Sequence, residues 1–157
     1  MAHSRLAALT AFLAALPLTA QNWQLRAFGA GVWEDSGSSR ITIVEQKEVW
    51  SAGELPGKLG PNRYFGVWIQ GPRPATFRNT FGTALLGYKF RVTEPGKPTP
   101  EFPTNFSSFN EDGTATRAVR IGTGPAYLGT WKVEFWIHHR EAVKDTPAGI
   151  VTFQIVP

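Results

Sequence analysis

The chain contains no cysteine. That excludes disulfide staples, a thiol nucleophile, and the lipid anchor that bacterial lipoproteins attach through a cysteine just after their leader. Long helical periods are also missing after Ala20, and the apolar residues recur instead in short alternating runs between glycines and prolines. Concentrated charge of either sign is absent. The net charge is +4, or +3 once Arg5 is removed with a leader, and the densest basic stretch is only Lys89-Phe90-Arg91. A nucleic-acid footprint needs a basic patch, so no nucleic-acid partner is expected. No serine stands in a Gly-x-Ser-x-Gly elbow, and Gly122-Thr123-Gly124 lacks the lysine and the spacing of a phosphate loop. No carboxylate pair announces an acid/base couple, and none of these motifs implies a cofactor.

What is present begins with the first twenty residues. Arg5 supplies a positive charge, Leu6 to Leu16 form an apolar run, Pro17 breaks it, and Thr19-Ala20 offers a small-residue cleavage site. That is the layout of a secretory signal peptide over 1–20, too short for a spanning helix. The expected product is a single domain over 21–157, secreted or periplasmic, with no integral membrane segment. Its length suffices for a core without staples.

Alternation then marks the strands. Phe65, Val67 and Ile69 share one face, with Trp68 opposite. Tyr88, Phe90 and Val92 share a face, with Lys89 and Arg91 opposite. Trp131, Val133, Phe135 and Ile137 share a face, with Lys132, Glu134, Trp136 and His138 opposite. Val151, Phe153 and Ile155 close the chain in the same style. Leu25 to Trp33, Ile41 to Val49 and Ala115 to Ile121 complete about seven strands. The expected fold is all-β, a two-sheet immunoglobulin-like antiparallel sandwich with each sheet solvated on one side. Asp35-Ser36-Gly37-Ser38-Ser39 and Asn110-Glu111-Asp112-Gly113 read as turns, and residues 144–149 as the loop of a last hairpin. The proline-rich stretch 95–100 reads as a stiff connection between sheets or across an edge.

Few residues point to chemistry. Adjacent His138 and His139 face opposite ways on an extended strand and grip one metal only at a bulge or hairpin end, where Glu141 or Asp145 adds oxygen. Asp35-Ser36-Gly37 matches the aspartic-protease tripeptide, and Leu85-Leu86-Gly87 resembles the stretch that braces it, yet Glu34 and the following serines belong to an exposed turn. These residues define the rival reading, a metal-dependent or aspartic hydrolase. The six tryptophans say more. Trp131 is in phase with the core and Gly129 permits a sharp start to its strand, so both are expected to be structural. Trp68 and Trp136 are out of phase. If their strands are neighbours, the two indoles form a ligand platform flanked by Lys132 and Glu134. Otherwise a loop or a subunit covers the second face, such as the segment 95–109 with Phe102, Phe106 and Phe109.

From Ala27 onward the chain resembles an uncharacterised bacterial family, catalogued as domain of unknown function 3859. The residues that carry the resemblance are Phe28-Gly29, Gly31-Val32-Trp33, Leu55-Pro56-Gly57-Lys58-Leu59-Gly60, Tyr64-Phe65-Gly66-Val67, Ile69-Gln70-Gly71, Leu128 to Trp136 and Val151 to Val156. Leu128-Gly129 stands where that family has Pro-Gly. The resemblance implies an exported β-sandwich and assigns no catalytic residues. The expected function is a non-catalytic binding or interaction module, whose partner is an envelope or extracellular protein, an extended ligand, or a second copy of the chain. A carbohydrate-binding module built on the out-of-phase tryptophans is the alternative.

Overall fold

A computed structural model describes residues 26–37, 40–71, 73, 85–122, 124–140 and 144–157. The leader, its cleavage site, Thr123 and Glu141 lie outside the described residues. Among the described residues nine strands follow in order: β1 Ala27–Asp35, β2 Ile41–Gln46, β3 Val49–Ser51, β4 Arg63–Gln70, β5 Leu86–Thr93, β6 Ser107–Ser108, β7 Thr114–Ala118, β8 Gly129–His139 and β9 Thr146–Val156. One helical turn, α1 (Leu55–Lys58), lies between β3 and β4. The strands form two sheets, β2-β1-β4-β7 and β3-β9-β8-β5-β6. The all-β, two-sheet architecture is therefore as the alternation implies. The strand order is not the A-B-E-D and C-F-G order of an immunoglobulin constant domain.

Core and strand phases agree with the sequence. Phe65, Val67, Ile69, Trp131, Val133, Phe135, Ile137, Phe153 and Ile155 are all buried between the sheets. Burying each such side chain contributes about 1.5–3 kcal/mol relative to exposure. The Phe65 ring meets Phe153 edge-on at 5.4 Å and Trp50 at 5.0 Å, which ties the layers together. Trp131 is 2 % exposed, stacks on Phe153 at 5.9 Å, and donates its indole N–H to the Tyr127 carbonyl at 3.0 Å. Gly129 opens that strand at a φ of 122°, a conformation that favours glycine.

The run Ile41–Val49 is not one strand. It breaks at Lys47-Glu48, so β2 pairs with β1 while β3 crosses to the other sheet and pairs parallel with β9. The break delivers Trp50, which is fully buried, with its indole N–H bonded to the Lys47 carbonyl at 2.8 Å. The last hairpin is also tighter than 144–149. β9 already begins at Thr146, with Pro147 opposite Trp136 where the register shifts. β3 covers β9 only from Gln154 onward, so a proline there removes no ladder bond on that side. The proline-rich stretch does not pass between sheets. It joins β5 to β6 within one sheet, and the residues after it cross that sheet's outer face.

Candidate functional site

The outer face of the five-stranded sheet collects most of the polar residues singled out above, and over β5 and β8 it is covered by the β5–β6 connection. Lys89 and Arg91 of β5 stand opposite Trp136 and Glu134 of β8. Arg91 Nε donates to Glu134 at 2.9 Å, and Lys132 reaches the other Glu134 oxygen at 3.2 Å. The Arg91 hydrogen bond, helped by Lys132, outweighs burial and holds the Glu134 carboxyl below the usual range. Over this ladder lies the β5–β6 connection. Phe102 packs edge-on against Trp136 at 4.5 Å, with the Arg91 guanidinium 5.1 Å from the indole. Phe106 stacks on His138 at 4.2 Å. It reaches there over Gly87, where a Cβ would sit 2.5 Å from the ring. Phe109 continues inward and packs on Tyr88 at 5.1 Å instead of joining the cover.

Trp68 and Trp136 do not form a platform. β4 and β8 belong to different sheets, and the two indoles stand on opposite outer faces. Their sequence phase is correct, but phase carries no information about which strands are neighbours. Trp136 is covered by Phe102. The Trp68 indole nitrogen is shielded from solvent and has no acceptor among the described residues.

The histidines separate as adjacent strand residues must. His138 faces outward and its Nδ1 meets Asp145 at 2.7 Å, while His139 is buried on the other face. Asp145 also accepts from Lys89 at 2.7 Å. Burial opposes its ionisation, but Lys89 and His138 outweigh that effect and hold its pKa below the ordinary value. Among the described residues no group of three histidine, aspartate or glutamate side chains is placed to hold a metal. Asp35 caps an exposed turn, accepting the Gly37 N–H at 2.9 Å. It lies at the end of β1, whereas Leu86-Gly87 opens β5 in the other sheet.

Among the described residues one open feature is a lateral groove of about 420 Å³ between the sheets, lined by Val92, Glu94, Arg117, Ala118, Val119, Arg120 and Trp131. It exists because two edges coincide. β7 ends the four-stranded sheet, and beyond Tyr88 the strand β5 has no partner but β8 among the described residues. Antiparallel bonding alternates along a strand. Gly113 O accepts from Gly71 N–H at 2.8 Å and Val119 N–H donates to Phe65 O at 2.9 Å, so the odd positions of β7 bond to β4. The N–H and C=O of Thr116 and Ala118 therefore point out of the sheet. By the same count Arg140 N–H donates to Leu85 O at 3.0 Å, which leaves the peptide groups of Phe90 and Val92 facing away from β8.

The groove is electropositive. Arg117 pairs with Val67 across the ladder and so shares the inward phase of Ala115. It lies close enough to Tyr88 to oppose the upward pull of burial on that phenol. Neither Arg117 nor Arg120 has a carboxylate partner among the described residues. Glu94, on the rim, is already paired with Lys97. No family model, curated protein or solved structure matches the chain. The groove residues were within reach of the sequence. Ala115, Arg117, Val119 and Ile121 share one strand phase, and a cation inside an apolar phase is the signal that went unused.

Proposed function

We propose that this protein is an exported, non-catalytic binding module that engages a macromolecular partner along the lateral groove between β5 and β7. The observation that carries the reading is the coincidence of two strand edges without a partner among the described residues, over a lining that includes Trp131 and Val92. An open edge is a template for pairing, and folded chains usually shorten, cover or charge it. On the outer face of the five-stranded sheet, Phe102 and Phe106 cover Trp136 and His138, so those residues are not an open platform. Export is supported by the layout of Arg5, Leu6 to Leu16, Pro17 and Thr19-Ala20. The resemblance to domain of unknown function 3859 agrees with it.

The test places a photo-activated cross-linker at Thr116, on the groove edge, or at Thr152, on the outer face of β9. Envelope extract is expected to give discrete adducts from the first position and none from the second. Identical adducts from both, or none from either, refute the reading. N-terminal sequencing of the processed chain is expected to begin at Gln21.

A further inference from the structure

We infer that the groove takes an extended acidic peptide segment, which adds to β7 as a fifth strand of the four-stranded sheet and places its carboxylates on Arg117 and Arg120. This rests on the groove being the contact surface, and it names the occupant. Two independent observations converge. The first is backbone geometry. The outward N–H and C=O of Thr116 and Ala118 offer four hydrogen-bonding groups at the spacing of a strand ladder. Thr114, at the start of β7, is not part of this offer. Its N–H is held by Asp112 Oδ1 at 2.8 Å and its carbonyl accepts from Asn110 at 2.8 Å. The docking stretch is therefore short and defined, running from Thr116 toward Arg120.

The second observation is charge. Two exposed arginines flank the free edge with no described carboxylate to neutralise them, and the one acid on the rim is occupied by Lys97. A strand bonded through Thr116 and Ala118 sets one of its side chains directly opposite Arg117, at the close-approach position of an antiparallel pair. A carboxylate there forms a charge-assisted pair with the guanidinium. A neutral side chain covers a cation and gives nothing back, and a lysine repels it. Side chains of the added strand in the same phase as that carboxylate lie toward Val92 and Trp131, while the alternate ones point away from the groove.

The test uses three N-acetylated octapeptides in which threonine alternates with glutamate, glutamine or lysine. Binding to the purified chain is read by fluorescence anisotropy at low salt. The glutamate peptide is expected to bind at least tenfold tighter than the glutamine peptide and the lysine peptide not at all, with the preference shrinking as salt is added. Bound glutamate peptide is expected to slow amide exchange at Thr116 and Ala118. The double variant Arg117→Ala/Arg120→Ala is expected to erase the glutamate preference, and Ala118→Pro, which removes one outward N–H and no bond to β4, to weaken binding at least tenfold. Equal affinity for the glutamate and glutamine peptides overturns the inference. So does exchange protection elsewhere than β7, or an arginine variant that merely self-associates because the cations only guard the edge. If Ala118→Pro does not fold, the amide-exchange pattern of the unmodified chain decides. Peptides that fail while the Thr116 cross-links persist overturn the acidic strand and leave the groove reading standing, whereas loss of both overturns both.

Discussion

Replacing Trp131 by alanine tests the frame on which the groove rests. Two contributions add and a third opposes them. The side chain is 2 % exposed and its ring lies nearly parallel to Phe153, 7° between planes. Emptying such a site costs about 3–5 kcal/mol, counting lost transfer energy and the cavity left behind. The Tyr127 carbonyl loses its donor, which adds about 1 kcal/mol where water cannot replace it. Against these, Trp131 borders the groove, so water or neighbouring side chains partly refill the space, and the expected total stays near the lower half of the range. For a domain of this size that is a fall in Tm of about 10 °C. The assay is thermal and urea unfolding followed by circular dichroism, with Trp136→Ala beside it. Among the described residues Trp136 is half-buried under one ring, Phe102, with the Arg91 guanidinium beside it, and its loss is expected to cost about 1–2 kcal/mol. A Tm for Trp131→Ala within about 3 °C of the unmodified chain refutes the placement of Trp131 as a core anchor, and so does a larger loss at Trp136 than at Trp131.

Three further outcomes are expected. Glu134 and Asp145 have folded pKa values below their ordinary 4.5 and 3.8, so the stability they confer is present above those values and is lost as pH falls through the lower folded ones. Urea midpoints are expected to drop between about pH 5 and pH 3, and Glu134→Gln with Asp145→Asn to flatten that drop. Gly66→Ala puts a Cβ 2.1 Å from the Arg117 carbonyl oxygen at a φ of 156°. It is expected to cost about 3 kcal/mol or more, whereas Gly60→Ala, which meets nothing within 4 Å, leaves the unfolding midpoint where it was. Trp68→Phe removes an indole N–H with no described acceptor and is expected to cost less than Trp131→Phe, which strands the Tyr127 carbonyl. The reverse order in urea melts refutes the assignment of those two nitrogens.

The inward phases of β4, β5, β8 and β9 were legible because each strand carries three or four apolar residues at a period of two, and nothing else satisfies that pattern. Trp50 was not legible. It stands at the end of a run that reads as one strand, and only the crossing at Lys47-Glu48 shows that it belongs to the other sheet. β6 is two serines held beside Gly87 and Tyr88, an edge formed by tertiary contact with no propensity behind it. The pairing of Asp145 with His138 was within reach, since a hairpin brings the two together. Its partner Lys89 was not, because that contact depends on β5 lying beside β8. Trp68 and Trp136 fail as a pair for the same reason. Phase gives the face of a strand, while neighbourhood depends on sheet order, which alternation leaves open.

Sheet order is also what gives Arg117 its two consequences. An antiparallel pairing of two β7 edges through Thr116 and Ala118 brings Arg117 opposite Arg117 of the second copy, since position 117 lies midway between 116 and 118. Like charges directly opposite in a ladder destabilise it. Burying both away from water without a counter-ion costs several kcal/mol more. The same cation that makes this edge a poor template for its own copy makes it a good one for a strand with a carboxylate at that position. Self-association by edge pairing at β7 is thus disfavoured by the geometry that favours an acidic partner. Arg117→Glu should invert the peptide preference, admitting the lysine peptide and excluding the glutamate one, while self-pairing stays disfavoured and the bonds that β7 makes to β4 remain untouched.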